Sequence, residues 1–195
     1  MTSFPAVARR VRDTDLPWRD RLLSLRECVL CFAPYGFRAT WHHLVMTASA
    51  SGRLKDDPSS ILRAVDELER ARLLWLARSE DYAARRGREK AAGRRAPRRV
   101  DRWHSQAWLI AYCPDFEHHP TDRLAVVVHR VMTAYESGAD PTATCRACGR
   151  ALSADAPCPG CGVDPRGRFA HRAEIHAYRW PELWQRNSCP REGPG

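Results

Sequence analysis

Apolar residues recur at helical spacing in four stretches of the chain. Their apolar positions are Leu22, Leu25, Val29 and Phe32; Trp41, Leu44, Val45 and Ala48; Ile61, Leu62, Val65 and Leu68; and Leu124, Val127, Val128, Val131 and Tyr135. The three- and four-residue steps within each set predict one buried face of a helix. Pro17 suits a first turn, Thr40 is the expected N-cap of the second helix, and Asp57-Pro58 opens the third. Residues 1–14 have a mixed composition and are expected to be loose.

Two shorter apolar runs predict β-strands. Leu73-Leu74-Trp75-Leu76 follows the third helix at once, and residues 107–112 form the second run. Between these runs, residues 85–102 contain nine cations and two acids, with Gly87, Gly93 and Pro97 as helix breakers. Such a stretch cannot bury itself, so we expect a flexible basic loop.

Three helices followed by a hairpin with a basic tip resemble the winged helix-turn-helix family of DNA-binding domains. The stretch DDPSSILRAVDELERARLLWLARSE looks like the recognition helix of that family running into the first wing strand. The resemblance implies an α+β fold, mainly helical, with a winged-helix domain over residues 15–112 and a long basic wing at 85–102. Wings of the family are usually shorter than this connection. A connecting helix within 113–138, a zinc ribbon with a basic aromatic region at 139–184, and a tail at 185–195 complete the expected organisation.

The charge balance of the chain indicates the chemical class of its binding partner. Lysine and arginine number 32 against 23 aspartates and glutamates, which gives a net charge of +9. This excess favours polyanions such as nucleic acid or an acidic membrane surface. The N-terminus lacks the apolar core of a signal peptide, and no run approaches the length of about 18 apolar residues that spans a bilayer. We therefore expect a cytoplasmic, nucleoid-associated protein without a membrane partner.

A paired cysteine motif carries the clearest chemistry. Cys145 and Cys148 form one Cys-x-x-Cys-Gly unit, Cys158 and Cys161 form another, and nine residues separate them. Each unit places two sulfurs on one side of a tetrahedral ion, and zinc takes four such ligands. The motif resembles the compact four-cysteine zinc ribbon found at the ends of bacterial proteins. Four thiolates close the coordination shell, so the predicted Zn²⁺ is structural rather than catalytic.

A third Cys-x-x-Cys, formed by Cys28 and Cys31, lies within a helical apolar pattern. Two buried thiols are the simpler interpretation. The alternative is a second metal site completed by Cys113 and by His118 or His119.

The winged-helix resemblance also implies which residues contact DNA. The third helix would present Ser59, Ser60, Arg63 and Glu67 to the major groove, with Arg63 on a guanine. The basic loop would neutralise phosphates, and its predicted contacts are Arg85, Arg86, Arg88, Arg94, Arg95, Arg98 and Arg99.

These observations predict a sequence-specific double-stranded DNA-binding protein, of the kind that regulates transcription or initiates replication in a bacterial, phage or plasmid system. The expected protein partner is a second copy of the chain, in a homodimer, or RNA polymerase. One alternative is an adaptor for a partner such as RNA polymerase, with only nonspecific nucleic-acid affinity, and another is an RNA-binding protein. The sequence offers no nucleophile–base pair, phosphate-cradling glycine loop or paired carboxylates, so no enzymatic activity is expected.

Overall fold

The fold is an assembly of α-helices in the part of the chain that the computed structural model describes, which comprises residues 3–49, 52–96, 121–139, 143–145, 147–153 and 156–162. Its elements are α1 (Phe4–Arg12), α2 (Trp18–Cys31), α3 (Phe37–Ala48), a 3-10 turn at Leu54–Asp56, α4 (Ser60–Ala91) and α5 (Leu124–Glu136). Within those ranges there is no β-strand, only an isolated bridge between Thr144 and Ala151. The described chain is therefore mainly helical, and the β part of the expected fold is not confirmed.

The first helix lies where loose chain was expected. Phe4, Val7, Ala8 and Val11 are buried, and they follow the same three- and four-residue spacing as the other helices. Arg12 at the end of α1 donates to Asp66 at 2.7 Å and to Glu69 at 2.6 Å, and both acids belong to α4. The expectation of loose chain was wrong because the four-residue apolar face of α1 packs mainly on α2 and also on α4, which orders this segment.

The predicted helices that correspond to α2 and α5 are confirmed, and the helix expected to begin at Thr40 starts earlier. α3 starts at Phe37, directly after Gly36, whose φ of 85° suits glycine. Thr40 is thus not an N-cap. It is fully buried inside the helix, where its hydroxyl accepts a hydrogen bond from the Tyr35 N–H at 3.1 Å.

The predicted first wing strand is wrong, because residues 73–76 continue α4. No helix breaker stands between Ser60 and Gly87, and residues 73–76 include no β-branched side chain. Trp75 packs against Phe32, the residue directly after α2, with ring centroids 5.8 Å apart. A short apolar run within a long helix thus satisfies the same pattern as a strand.

The basic stretch begins as helix rather than as loop. α4 runs through Gly87 and ends at Ala91. Gly93 then adopts a φ of 83°, its N–H donates to the Lys90 carbonyl, and the Arg94 N–H donates to the Glu89 carbonyl at 2.8 Å. This pair of bonds is a Schellman cap. The predicted second wing strand at 107–112 lies outside the described residues.

α4 is the central element, and it contacts α1, α2, α3 and α5. Its buried face includes Ile61, Val65 and Leu68. The buried residues of α5 include Val127 and Val131.

Residues 49–59 separate α3 from α4. This connection is longer than the turn of about three to four residues that joins the two helices of a helix-turn-helix. No helix in the described ranges combines the length and the apolar character needed to cross a membrane.

Candidate metal centre and basic surface

The two Cys-x-x-Cys units meet at one point. The sulfur atoms of Cys145, Cys148, Cys158 and Cys161 all lie within 4.8 Å of one another. Cys145 Sγ is 3.6 Å from Cys161 Sγ, and Cys148 Sγ is 3.4 Å from Cys158 Sγ. Four sulfurs at 2.3 Å from a tetrahedral zinc ion would be about 3.8 Å apart. The cluster can therefore hold a metal ion, and its donor set is consistent with zinc.

In each unit the backbone closes a turn between the first cysteine and the glycine. The Gly149 N–H donates to the Cys145 carbonyl at 2.7 Å, and the Gly162 N–H donates to the Cys158 carbonyl at 2.8 Å. Both glycines have a positive φ, of 77° and 72°. The Cys145 N–H also donates to the Arg150 carbonyl at 2.8 Å, beside the Thr144–Ala151 bridge. These local bonds explain the glycine after each second cysteine, because the chain reverses there.

The thiols share their protons unequally. Hydrogen bonds from Cys148 and Cys161, together with backbone N–H groups, lower the pKa of Cys145. The same pairing with Cys145 raises the pKa of Cys148, since a second thiolate would face the first. One thiolate, at Cys145, is thus favoured, and a divalent cation would displace the protons that remain on the cluster as it binds.

The cysteine unit is docked on α5 rather than carried as a separate module. A Cβ placed on Gly149 would lie 3.0 Å from the backbone nitrogen of Val131 and 3.1 Å from the carbonyl carbon of Arg130. The Arg130 guanidinium donates to the Cys148 carbonyl at 3.3 Å and to Asp122 at 2.9 Å. The first Cys-x-x-Cys turn and the middle of α5 therefore touch backbone to backbone.

The third cysteine pair does not join the cluster. Cys28 is fully buried in the core, and this burial is the main reason that its pKa is raised to about 12. Cys31 is exposed at the end of α2. Cys113, His118 and His119, which the alternative second site requires, lie outside the described residues.

The residues predicted to read DNA bases are mostly engaged within the fold. Ser60 is fully buried, and its hydroxyl donates to the Leu54 carbonyl at 2.7 Å. Arg63 donates to the Ala48 carbonyl at the end of α3, to Asp57 and to Ser59. The hydrogen bond from Arg63, and next those from Ser59, lower the pKa of the half-exposed Asp57 to about 2. A base contact by Arg63 would therefore have to replace existing bonds.

Glu67 joins three helices. Its Oε1 accepts a hydrogen bond from the Leu124 N–H at 2.9 Å and lies 3.1 Å from Nε2 of the fully buried His43. α5 has no acidic residue in its first turn and no side-chain cap of its own, so the carboxylate of α4 caps it. Burial alone would raise the pKa of Glu67, but the hydrogen bonds from His43 and Leu124 outweigh it and lower the pKa. This position therefore holds the helices together in the described structure.

A groove of about 770 Å³ opens beside this junction. It is lined by Met46 and Thr47 of α3, by Arg63, Glu67 and Arg70 of α4, and by Arg123 before α5. Arg123 directly precedes α5, so the position of α5 sets the position of this wall of the groove.

The basic end of α4 contains two kinds of arginine. Arg86 is buried and donates to Glu89, and its second amino group donates to the Arg95 carbonyl at 2.9 Å. Arg85 also donates to Glu89, at 3.2 Å. These two predicted phosphate contacts therefore share an internal carboxylate.

The other described cations of this region face solvent. Arg88 and Lys90 are exposed on the last turns of α4, and Arg94 and Arg95 are exposed in the turn that follows. The Schellman cap and the bond from Arg86 fix the backbone that carries them. Arg98 and Arg99 lie outside the described residues.

Local sequence reasoning did not identify Arg130, Glu89 or the structural role of Glu67. Glu67 contacts Leu124, 57 positions away, and Arg130 contacts Cys148, 18 positions away, and no local period predicts such pairs. The one available signal for Glu89 was its position, an acid three and four residues after Arg86 and Arg85.

The chain has no match in three comparisons with known proteins. No family model, no curated protein and no solved structure matches it. The resemblances to the winged helix-turn-helix and to the zinc ribbon are thus not confirmed by a relative.

Proposed function

We propose that the four-cysteine cluster holds a structural Zn²⁺. Its four sulfurs converge within 4.8 Å, and no other donor is needed to complete a tetrahedron. Zinc prefers such soft thiolate ligands, and a shell closed by protein leaves no position for a reacting water. A unit this short has too few apolar residues for a core, so the metal supplies much of its folding free energy.

Substituting one ligand tests the metal. Cys158→Ser removes one sulfur of the cluster, whereas Cys31→Ser removes an exposed thiol on α2 and serves as the matched control. We expect one zinc per chain in the native protein and in the Cys31 variant, and loss of zinc from the Cys158 variant. Elemental analysis after dialysis against a weak chelator measures this stoichiometry. Full zinc occupancy in the Cys158 variant would show that the ligand set is wrong.

We propose that the protein binds double-stranded DNA through the basic end of α4. The observation that carries this proposal is the group formed by Arg88, Lys90, Arg94 and Arg95, exposed on a helix end whose backbone is capped. Cations held on a rigid backbone lose less conformational entropy on binding than those of a mobile loop. The net charge of +9 supports a polyanionic partner. A regulator or replication initiator of a bacterial, phage or plasmid system remains the biological role that we propose.

We propose that Arg63 gives the protein its preference for particular DNA sequences. Its guanidinium is half-exposed at the edge of the groove, where arginine could bond O6 and N7 of guanine. Binding would exchange its bond to the half-exposed Asp57 for a bond to DNA. Ser60 is not part of the proposal, because it is buried in the described structure.

The salt dependence of duplex binding tests the basic surface. Each phosphate contact contributes about 0.9 to the slope of log affinity against log salt. Replacing Arg88, Lys90 and Arg94 by Gln should therefore lower that slope by up to about 2.7. The charge-matched control replaces Arg9, Arg19 and Lys55, which are exposed on other parts of the described chain. Zinc-loaded protein and fluorescence anisotropy suit this titration.

Equal slopes for the two triple variants would refute the assignment of phosphate contacts to this surface. Stronger binding of RNA than of duplex DNA in competition would favour the RNA-binding alternative. Weak, sequence-blind binding of both polymers would favour the adaptor.

A further inference from the structure

The metal cluster and the helical body are connected through α5. On one side, Gly149 approaches the backbone of Val131 so closely that a methyl group would contact it at 3.0 Å. Arg130 adds a bond from the same turn of α5 to the carbonyl of Cys148, a cluster cysteine. A metal ion that fixes the Cys-x-x-Cys turn therefore also fixes the surface on which α5 rests.

On its other side, α5 is bonded to α4 at both ends. Glu67 caps Leu124 at the beginning of α5. Near the end of α5, Arg78 donates to Glu136 at 2.7 Å and lies 3.1 Å from Nδ1 of His129. Val127, Val128 and Val131 are fully buried between these polar ties. α5 is thus held between the cysteine unit and α4.

We infer that metal occupancy of the cysteine cluster controls the docking of α5 on α4. This inference depends on the proposed zinc site. Without the metal, no ion joins the four sulfurs to one another, and the turn that supports α5 loses this constraint. Because Arg123 leads directly into α5 and lines the groove beside Glu67, the metal also determines the shape of that groove. The metal-bound cluster then holds α5 against α4, in addition to stabilising the cysteine unit itself, and we call this role the clamp.

Hydrogen exchange of the full-length chain tests the clamp. The zinc-loaded protein and the same protein treated with a chelator are compared by mass spectrometry of peptides. We expect amides of α5 to exchange about tenfold or more faster after zinc removal, because they open with the cysteine unit. Amides of α1 and α2 serve as the internal control, since those helices pack on each other and on α4. Their exchange should change much less.

Coupling between two sites is reciprocal, so weakening the α5 contact should weaken zinc binding. Arg130→Ala removes the bonds to the Cys148 carbonyl and to Asp122, and Arg9→Ala removes an equal charge from an exposed position on α1. We expect Arg130→Ala to lower zinc affinity several-fold more than Arg9→Ala does, measured by competition with a chromophoric chelator. This second measurement does not require the metal-free protein to remain folded.

Two results would overturn the inference, and they differ in what they leave standing. If the chain binds one zinc but α5 exchanges equally with and without it, the clamp is refuted and the zinc site is retained. If the chain binds no zinc, both the site and the clamp are wrong. In either case the salt dependence of DNA binding remains an independent test of the basic surface.

Discussion

Glu67→Gln isolates the contact that joins α3, α4 and α5. The substitution preserves the shape of the side chain and removes its charge. The carboxylate accepts from the Leu124 N–H and is paired with the buried His43, and its side chain is only 16% exposed. Hydrogen bonds to charged groups contribute about 1.5–3 kcal/mol each. The amide oxygen of glutamine can keep one of the two contacts, so we expect a net loss of about 2 kcal/mol in the free energy of unfolding.

Thermal and urea denaturation measure this loss at neutral pH. For a chain of this size, about 2 kcal/mol corresponds to a fall of about 4–8 °C in Tm. The matched control is Glu80→Gln, an exposed glutamate on the same helix, which should stay within about 0.5 kcal/mol of the native protein.

The pH dependence gives a second test with a defined sign. The folded-state pKa of Glu67 is lowered, so its contribution to stability is present above the ordinary pKa of glutamate. That contribution is lost as the pH falls through the folded-state pKa. The stability difference between the native protein and Glu67→Gln should therefore shrink in acid. A difference below about 0.5 kcal/mol at neutral pH, or one that grows in acid, would refute the structural role assigned to Glu67.

Two further predictions concern the length of α4 and base recognition. Gly87 lies inside α4 with open space at its Cβ position, so Gly87→Ala should stabilise the protein by about 0.5–1 kcal/mol. Gly93→Ala should destabilise the protein, because the φ of Gly93 is 83°. Urea denaturation measures both changes in stability, and no gain from Gly87→Ala would argue against a continuous helix. Arg63→Ala should relax discrimination at one base position in a selection from random duplexes while overall affinity changes little, and an equal loss for all sequences would show that Arg63 does not read bases.

The sequence predicted those elements whose signals are local. The helical spacing of α2, α3, α5 and the first part of α4 is confirmed, since each has a continuous apolar face. The four-cysteine cluster was also predictable, because a fixed spacing of ligands encodes its geometry.

The strand at Leu73–Leu76 was not correctly predicted because a run of four apolar residues fits either secondary structure. In the helix these residues divide between environments: Leu73 is 55% exposed, whereas Trp75 packs against Phe32. The uninterrupted helix formers on both sides decide between the two. The same error placed Arg85 and Arg86 in a flexible wing, although the helix continues past both.

A rigid basic helix end and a flexible basic wing predict different effects of Glu89→Gln on DNA binding. Glu89 is buried and binds Arg85 and Arg86, and Arg86 in turn binds the Arg95 carbonyl. Glu89→Gln raises the net charge by one and leaves every exposed cation in place. A flexible basic arm would then bind duplex DNA equally well or more tightly.

A rigid arm should respond in the opposite direction. Neutralising Glu89 leaves the buried Arg86 without its carboxylate, and removing one partner of a buried ion pair costs about 3–5 kcal/mol. The last turn of α4 and the turn bearing Arg94 should then fray, so the same cations must be ordered at the moment of binding. We therefore expect weaker duplex binding by Glu89→Gln at fixed salt, together with faster hydrogen exchange over residues 85–95. Tighter binding despite that faster exchange would mean that charge alone, and not its fixed presentation on α4, determines the affinity for DNA.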